Sequence, residues 1–267
     1  MIKRITFFYV ITFVLTILLA GLQQAASLSP TFILPQWGPG LAALLMAVFF
    51  RQDRLNRRAA AQPASRAATG WRYGLALVIP LLGAAAMLPL AGRLLAPVDA
   101  ASRLATLTPL WLAGMLFGAL GEEIGWRGYL QPLLRARGSA VAVSLVIGPL
   151  WALWHMQSWA NGPLYMALMV VTMTAYSLVI TALIDDAPGG RVALATLFHV
   201  GINVGNVPFL DLIPQPGFMA LNAAVWLLIA AAAITLRRSH LTGNKRLMAD
   251  GEAPARRDEP VAADVGS

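Results

Sequence analysis

The chain has 267 residues, of which 58% are hydrophobic and only 12% charged. A soluble domain carries about 25% charged residues, so this composition excludes an ordinary soluble globule and points to a polytopic membrane protein. There is no cysteine, which rules out disulfide scaffolds, Cys-based zinc sites and cysteine nucleophiles, and the net charge of +8 raises the question of where the cations lie.

Taken in order, a first span is expected from Ile5 to about Leu22 behind Lys3 and Arg4; a cleaved leader is the competing reading, for which the apolar run is somewhat long. A second runs from about Phe32 to Phe50, with Pro35 and Pro39 near its start. A basic connection follows, from Arg51 to Arg72, and its Ala/Gln/Pro/Ser stretch at Ala60–Ala68 reads as flexible. The third span covers about Tyr73 to Ala91. Thr108-Pro109 is a helix start, with Thr as cap and Pro at the first helical position, and the apolar pattern runs on past Glu122 and Glu123 to a turn at Arg135–Ser139. Further spans are expected at about Ala140–Met156, Leu164–Ile184, Val192–Val207 and Phe218–Leu236, with Asp185–Gly190 as a turn. The expected fold is therefore all-α, a bundle of about eight transmembrane helices over residues 1–236. A polar, disordered tail occupies 237–267.

Eight spans put both termini on one side. With that side cytoplasmic, every Lys and Arg except Arg93 and Arg103 falls in a cytoplasmic segment, as the positive-inside rule requires. The basic charge thus reads as orientation in a bacterial-type cytoplasmic membrane, with attraction to anionic lipid as a further effect, and not as nucleic-acid binding.

Ionisable groups at membrane depth are costly and mark functional candidates. Glu122 lies about 20 Å along its helix from Pro109, past the midplane of a core about 30 Å thick. Glu123 and Arg127 are spaced i, i+4 and can pair, while Glu122 points about 100° away toward other partners. His155 follows Trp151 by one turn. If the fourth and fifth spans form a hairpin turning near Arg137, Glu122 and His155 reach similar depth on neighbouring helices. His199 and Asn203, again i, i+4, lie roughly 14 to 20 Å along the seventh span. Plainer readings are a salt-bridged helix end for the glutamates, an interfacial histidine among belt tryptophans for His155, and a packing hydrogen bond for His199 and Asn203. The small-residue pairs Gly114/Gly118, Gly121/Gly125 and Gly201/Gly205 are expected to let the fourth and seventh spans approach closely. His240, in the tail, is assigned no role.

A glutamate and a histidine at one depth can activate a water, and a second histidine with an asparagine can donate to a developing oxyanion. No Gly-x-Ser-x-Gly and no His-Glu-x-x-His occurs. A metal held by Glu122, His155 and His199 is a chemical alternative.

Glu-Glu-x-x-x-Arg, an aromatic-x-x-x-His and His-x-x-x-Asn, each on its own span, resemble the CAAX prenyl endopeptidase and bacteriocin-processing family of intramembrane glutamic proteases, over about Trp111 to Val207. The resemblance implies an endopeptidase in which Glu122 and His155 activate water and His199 and Asn203 form the oxyanion hole, with Glu123, Arg127 and Trp151 supporting. Trp151 stands where the family usually has Phe. No cofactor or metal is implied, and the substrate would be a peptide or membrane protein, lipidated or not. Classes outside that reading are a non-catalytic immunity or scaffold protein and a small transporter.

Overall fold

In a computed structural model, residues 1–50, 66–187 and 189–237 are described. The expected tail from residue 238 onward and most of the basic connection lie outside them. The described residues form helices and turns with no strand: α1 (Ile2–Ala25), α2 (Gly38–Phe49), α3 (Arg66–Leu94), α4 (Ala100–Leu104), α5 (Pro109–Glu123), α6 (Gln131–Arg135), α7 (Ala140–Trp154), α8 (Pro163–Ile184), α9 (Arg191–Asn206) and α10 (Pro216–Leu236).

Local chemistry sets most of these boundaries. The Thr108 hydroxyl accepts from the Trp111 amide and Pro109 opens α5, as the sequence predicts. Ser139 caps α7 by accepting from the Ala142 amide, and prolines open α8 and α10. Gly162 sits at φ 91°, a conformation that favours glycine, at the entry to α8. Four boundaries differ from expectation. α3 begins at Arg66, so Arg66 and Arg72 belong to a helix and not to the connection. A 3₁₀ turn at Leu34–Trp37 precedes α2 and shortens it. Between α5 and α6, Ile124–Leu130 winds as a π-helix, a widened turn of the kind found at functional sites. And α7 stops at Trp154, leaving His155 in a non-helical conformation (φ −73°, ψ 69°).

Helices α1, α3, α8, α9 and α10 are long and apolar enough to cross a membrane; Leu34–Phe49 and Ala140–Trp154 are shorter apolar helices. The protein is thus a multi-pass membrane protein. Neighbour follows neighbour around the bundle: α1 packs on α2, α2 on α5, α5 on α9, α9 on α3, α3 on α10, α10 on α8 and α8 on α7. Two hydrogen bonds link α7 back to α1, from the Tyr9 hydroxyl to the Leu150 carbonyl (2.8 Å) and from the Trp154 indole to the Thr16 hydroxyl (2.9 Å). Leucines such as Leu110, Leu145, Leu164 and Leu228 face outward, an arrangement suited to lipid. Inside runs an aromatic chain including Phe8, Trp126, Trp154, Trp151, Tyr176 and Trp226.

The glycine pairs serve other neighbours than expected. A Cβ on Gly114 would strike Thr31, one on Gly118 Gln36, one on Gly121 Gln36 and Trp37, and one on Gly125 Pro39. Gly201 and Gly205 lie against Pro80 and Ala84 of α3. The small residues therefore admit the segment 31–40 against α5 and bring α3 onto α9. The contact of α5 with α9 does not depend on them.

Charged side chains pair at the two ends of the helices. Arg103 binds Asp211 at one end. At the other, Arg135 forms a two-pronged bond with Asp185 (2.7 and 2.8 Å), and Arg72 does the same with Asp186 (2.6 and 2.9 Å), which also binds Arg237 (2.8 Å). Partial burial works to raise the Asp186 carboxyl, but the Arg72 and Arg237 guanidiniums override this and hold it down at about 2. Because the folded value is depressed, its contribution is complete above the ordinary value of 3.8 and is lost as pH falls through about 2. Thermal unfolding of the detergent-solubilised protein is therefore expected to lose stability over that interval, and Asp186→Asn to lose measurably less over the same interval.

Candidate active site

The π-helical turn and the end of α7 bring the polar residues together. Glu122 and Glu123 end α5 and are 1% and 0% exposed. Their one-residue offset sends them to different partners. Glu122 accepts from the Gln36 side-chain amide at Oε1 (2.8 Å) and from the Trp151 indole at Oε2 (2.7 Å). Glu123 Oε1 accepts from Arg127 (2.9 Å) and from His199 Nδ1 (2.9 Å). The expected i, i+4 pair is thus present, but Arg127 is fully buried and does not snorkel to a boundary. Its guanidinium lies over the Trp151 ring, 4.3 Å from the centroid, where the π face attracts a cation.

Trp151 joins the two arms. Its N–H holds Glu122, its face meets Arg127, its ring lies 5.2 Å from that of His199, and its carbonyl accepts from His155 Nδ1 (2.8 Å). His155 sits just beyond the helix end rather than one turn along the same face, so a backbone carbonyl can reach its ring.

These bonds give the two histidines different chemistry. A carbonyl can only accept, so His155 carries its proton on Nδ1 when neutral and presents a lone pair at Nε2. His199 gives Nδ1–H to a carboxylate, and its charged form carries a second N–H at Nε2. His155, His199, Trp151 and Asn203 all line one cavity of about 360 Å³. Its other walls include the polar Tyr176, Asn206 and Asn222 and the apolar Met169, Met173 and Met219. Tyr176 and Asn222 exchange hydrogen bonds at 3.1 and 3.3 Å. Glu122 is not part of the lining and stands directly behind Trp151, a difference from the expectation that it would share an open water site with His155.

Gln36, Tyr176, Asn206 and Asn222 were not singled out from the sequence. Asn206 and Asn222 carried a signal, being amides inside apolar runs. Tyr176 resembled ordinary core, and Gln36 had no signal, because only the folded chain brings it to Glu122. A metal held by Glu122, His155 and His199 finds no support in the geometry: among the described residues no group of three or more His, Asp or Glu comes together as ligands.

Comparison with known proteins agrees with the motifs. Residues 104–205 match the family model "Type II CAAX prenyl endopeptidase Rce1-like". Lysostaphin resistance protein A of Staphylococcus haemolyticus is 23% identical over 205 residues, covering 75% of this chain and 55% of that protein. CAAX prenyl protease 2 of Methanococcus maripaludis is 44% identical over 41 residues, 15% of each chain. The chain thus spans about half the length of the first relative and a small part of the second. The resemblance read from the motifs is met: the segment carrying all three matches the Rce1-like model, and the match supports a membrane-embedded peptidase in general terms.

Burying Arg127 is favourable only while Glu123 answers its charge. Replacing one partner of a buried pair costs about 3–5 kcal/mol, because the other is left unpaired. Arg127→Met is expected to lower the unfolding temperature in detergent strongly, and the double change Arg127→Met/Glu123→Gln to recover part of the loss.

Proposed function

We propose that the protein is an intramembrane endopeptidase that cleaves a peptide bond by direct attack of water. The observation that carries this reading is Trp151, which joins the buried Glu122 carboxylate to a cavity lined by His155, His199 and Asn203. In the reaction, water enters between the cavity and Glu122. His155 Nε2 and Glu122 take up its proton as the oxygen attacks the scissile carbonyl. Each Glu122 oxygen retains a lone pair beyond the one engaged by Gln36 or Trp151. His199, charged and held by Glu123, and Asn203 donate to the carbonyl oxygen as it becomes negative. The proton then passes to the departing amine as the C–N bond breaks, leaving a carboxylic acid and an amine, and the remaining proton moves from the acid to the amine to give carboxylate and ammonium. Glu123 and Arg127 orient His199 and Trp151 and meet neither water nor substrate.

The residues lining the cavity include no Lys or Arg. The cavity therefore suits an uncharged stretch of peptide or membrane-protein segment, its amides able to meet main-chain groups and its methionines an apolar side chain. The basic connection and the termini face the cytoplasm in this reading. Among non-catalytic readings, an immunity or scaffold protein draws on the enclosure of Glu122 behind Trp151 and on the relative named for lysostaphin resistance.

The test is cleavage of a fluorogenic peptide library by purified protein, with and without a chelator. Wild type is expected to cleave regardless of chelator. Glu122→Gln and His155→Ala should each lose at least about 100-fold in kcat, within the range for a removed acid–base group, while remaining folded. Full activity in Glu122→Gln would contradict the mechanism, and the same phenotype in a Glu122/His155 double variant would favour the scaffold.

A further inference from the structure

We infer that Gln36, far outside the Rce1-like segment, is a positioning residue that orients the Glu122 carboxylate. Its Nε2 donates to Glu122 Oε1 at 2.8 Å, opposite the Trp151 indole on Oε2, so the carboxylate is fixed from both sides by neutral donors. A lone indole would leave the carboxylate free to rotate about its own axis; the second donor sets its plane. Neutral donors also leave the charge of Glu122 uncancelled, which a Lys or Arg at position 36 would not.

The surroundings place Gln36 with little freedom. Gln23 of α1 grips the preceding loop, donating to the Ser29 and Phe32 carbonyls (3.1 Å each) and accepting from the Leu34 amide (2.9 Å). The Thr16 hydroxyl donates to the Pro35 carbonyl (3.4 Å). Trp37 packs on Phe117, ring centroids 5.1 Å apart. Gly118 leaves the space that the Gln36 amide fills, and a methyl there would strike Gln36 Oε1. Backbone approach is equally close at Gly40, where a Cβ would stand 2.6 Å from the Gly121 carbonyl oxygen. The first 40 residues therefore hold a part of the site.

The catalytic consequence rests on the hydrolytic reading above; the orientation of Glu122 does not. Both are read with Gln36→Met, which keeps the side-chain volume and removes the donor. Infrared spectra of wild type, Gln36→Met and Glu122→Gln in lipid nanodiscs identify the Glu122 carboxylate band by its loss in Glu122→Gln, among only 12 acidic residues. The band is expected to shift in Gln36→Met, and in Gly118→Ala, which displaces the same amide. Cleavage of a library peptide by Gln36→Met should fall about 10- to 100-fold in kcat, the cost of one bond to a charged group, with KM changed less than about twofold. Gln36→Glu should fall further, since a second carboxylate would face the first. An unmoved band in folded Gln36→Met overturns the inference whatever the activity, as does a loss that lies in KM alone. A shifted band in a protein whose wild type cleaves nothing upholds the orientation of Glu122 and counts against the hydrolytic reading instead.

Discussion

Two adjacent carboxylates inside an apolar bundle must each be met by donors, and much of the interior is arranged around that demand. Several kcal/mol per buried charge is at stake if a partner is missing. Glu123 is answered by Arg127 and His199, and Glu122 by Gln36 and Trp151. Those four partners come from four separate places in the chain: the turn before α2, the π-helical turn, α7 and α9. Satisfying the pair therefore fixes how these elements meet. The glycines of α5 are the steric counterpart, since the segment that delivers Gln36 reaches Glu122 only where no side chains intervene.

Trp151 gives this arrangement its second role. A phenylalanine there would fill the same space and offer Arg127 a π face, but it could not donate to Glu122. The indole therefore ties the buried carboxylate to the cavity wall. Ending α7 at Trp154 matters as much. With His155 beyond the helix, its ring turns back to the Trp151 carbonyl and keeps its other nitrogen as an acceptor, whereas Glu123 holds His199 through Nδ1; both residues line the cavity. One histidine suited to taking a proton and one suited to donating a hydrogen bond are what water attack on a carbonyl requires, and their difference follows from which backbone or carboxylate oxygen each meets.

Much of this was legible in the sequence, for local reasons. The Thr108 cap, the helix-opening Pro109 and the i, i+4 spacing of Glu123 and Arg127 act within a few residues, and the structure reproduces them. The long apolar stretches gave the helical bundle. What escaped is non-local or depends on a change in helix winding. The hydrogen bond from Gln36 joins residues 86 positions apart, and nothing near Pro35 announces it. The apolar period continues smoothly through Ile124–Leu130, so the π-helical winding is invisible in it. His155 reads as helical because the aromatic run before it does; the chain leaves the helix there for a 3₁₀ turn at Met156–Asn161. The small-residue pairs were recognised as contact surfaces but not their partners, because a small residue marks closeness without saying to what.

In the proposed reaction water itself attacks the peptide carbonyl, with Glu122 acting as a base and never bonded to the substrate. This is tested most directly by a single turnover in heavy-oxygen water, followed by mass spectrometry of both product and protein. Direct attack predicts one heavy oxygen in the new carboxylate of the product and none in the side chain of Glu122. Heavy oxygen in Glu122, the mark of a covalent acyl intermediate, would contradict the account.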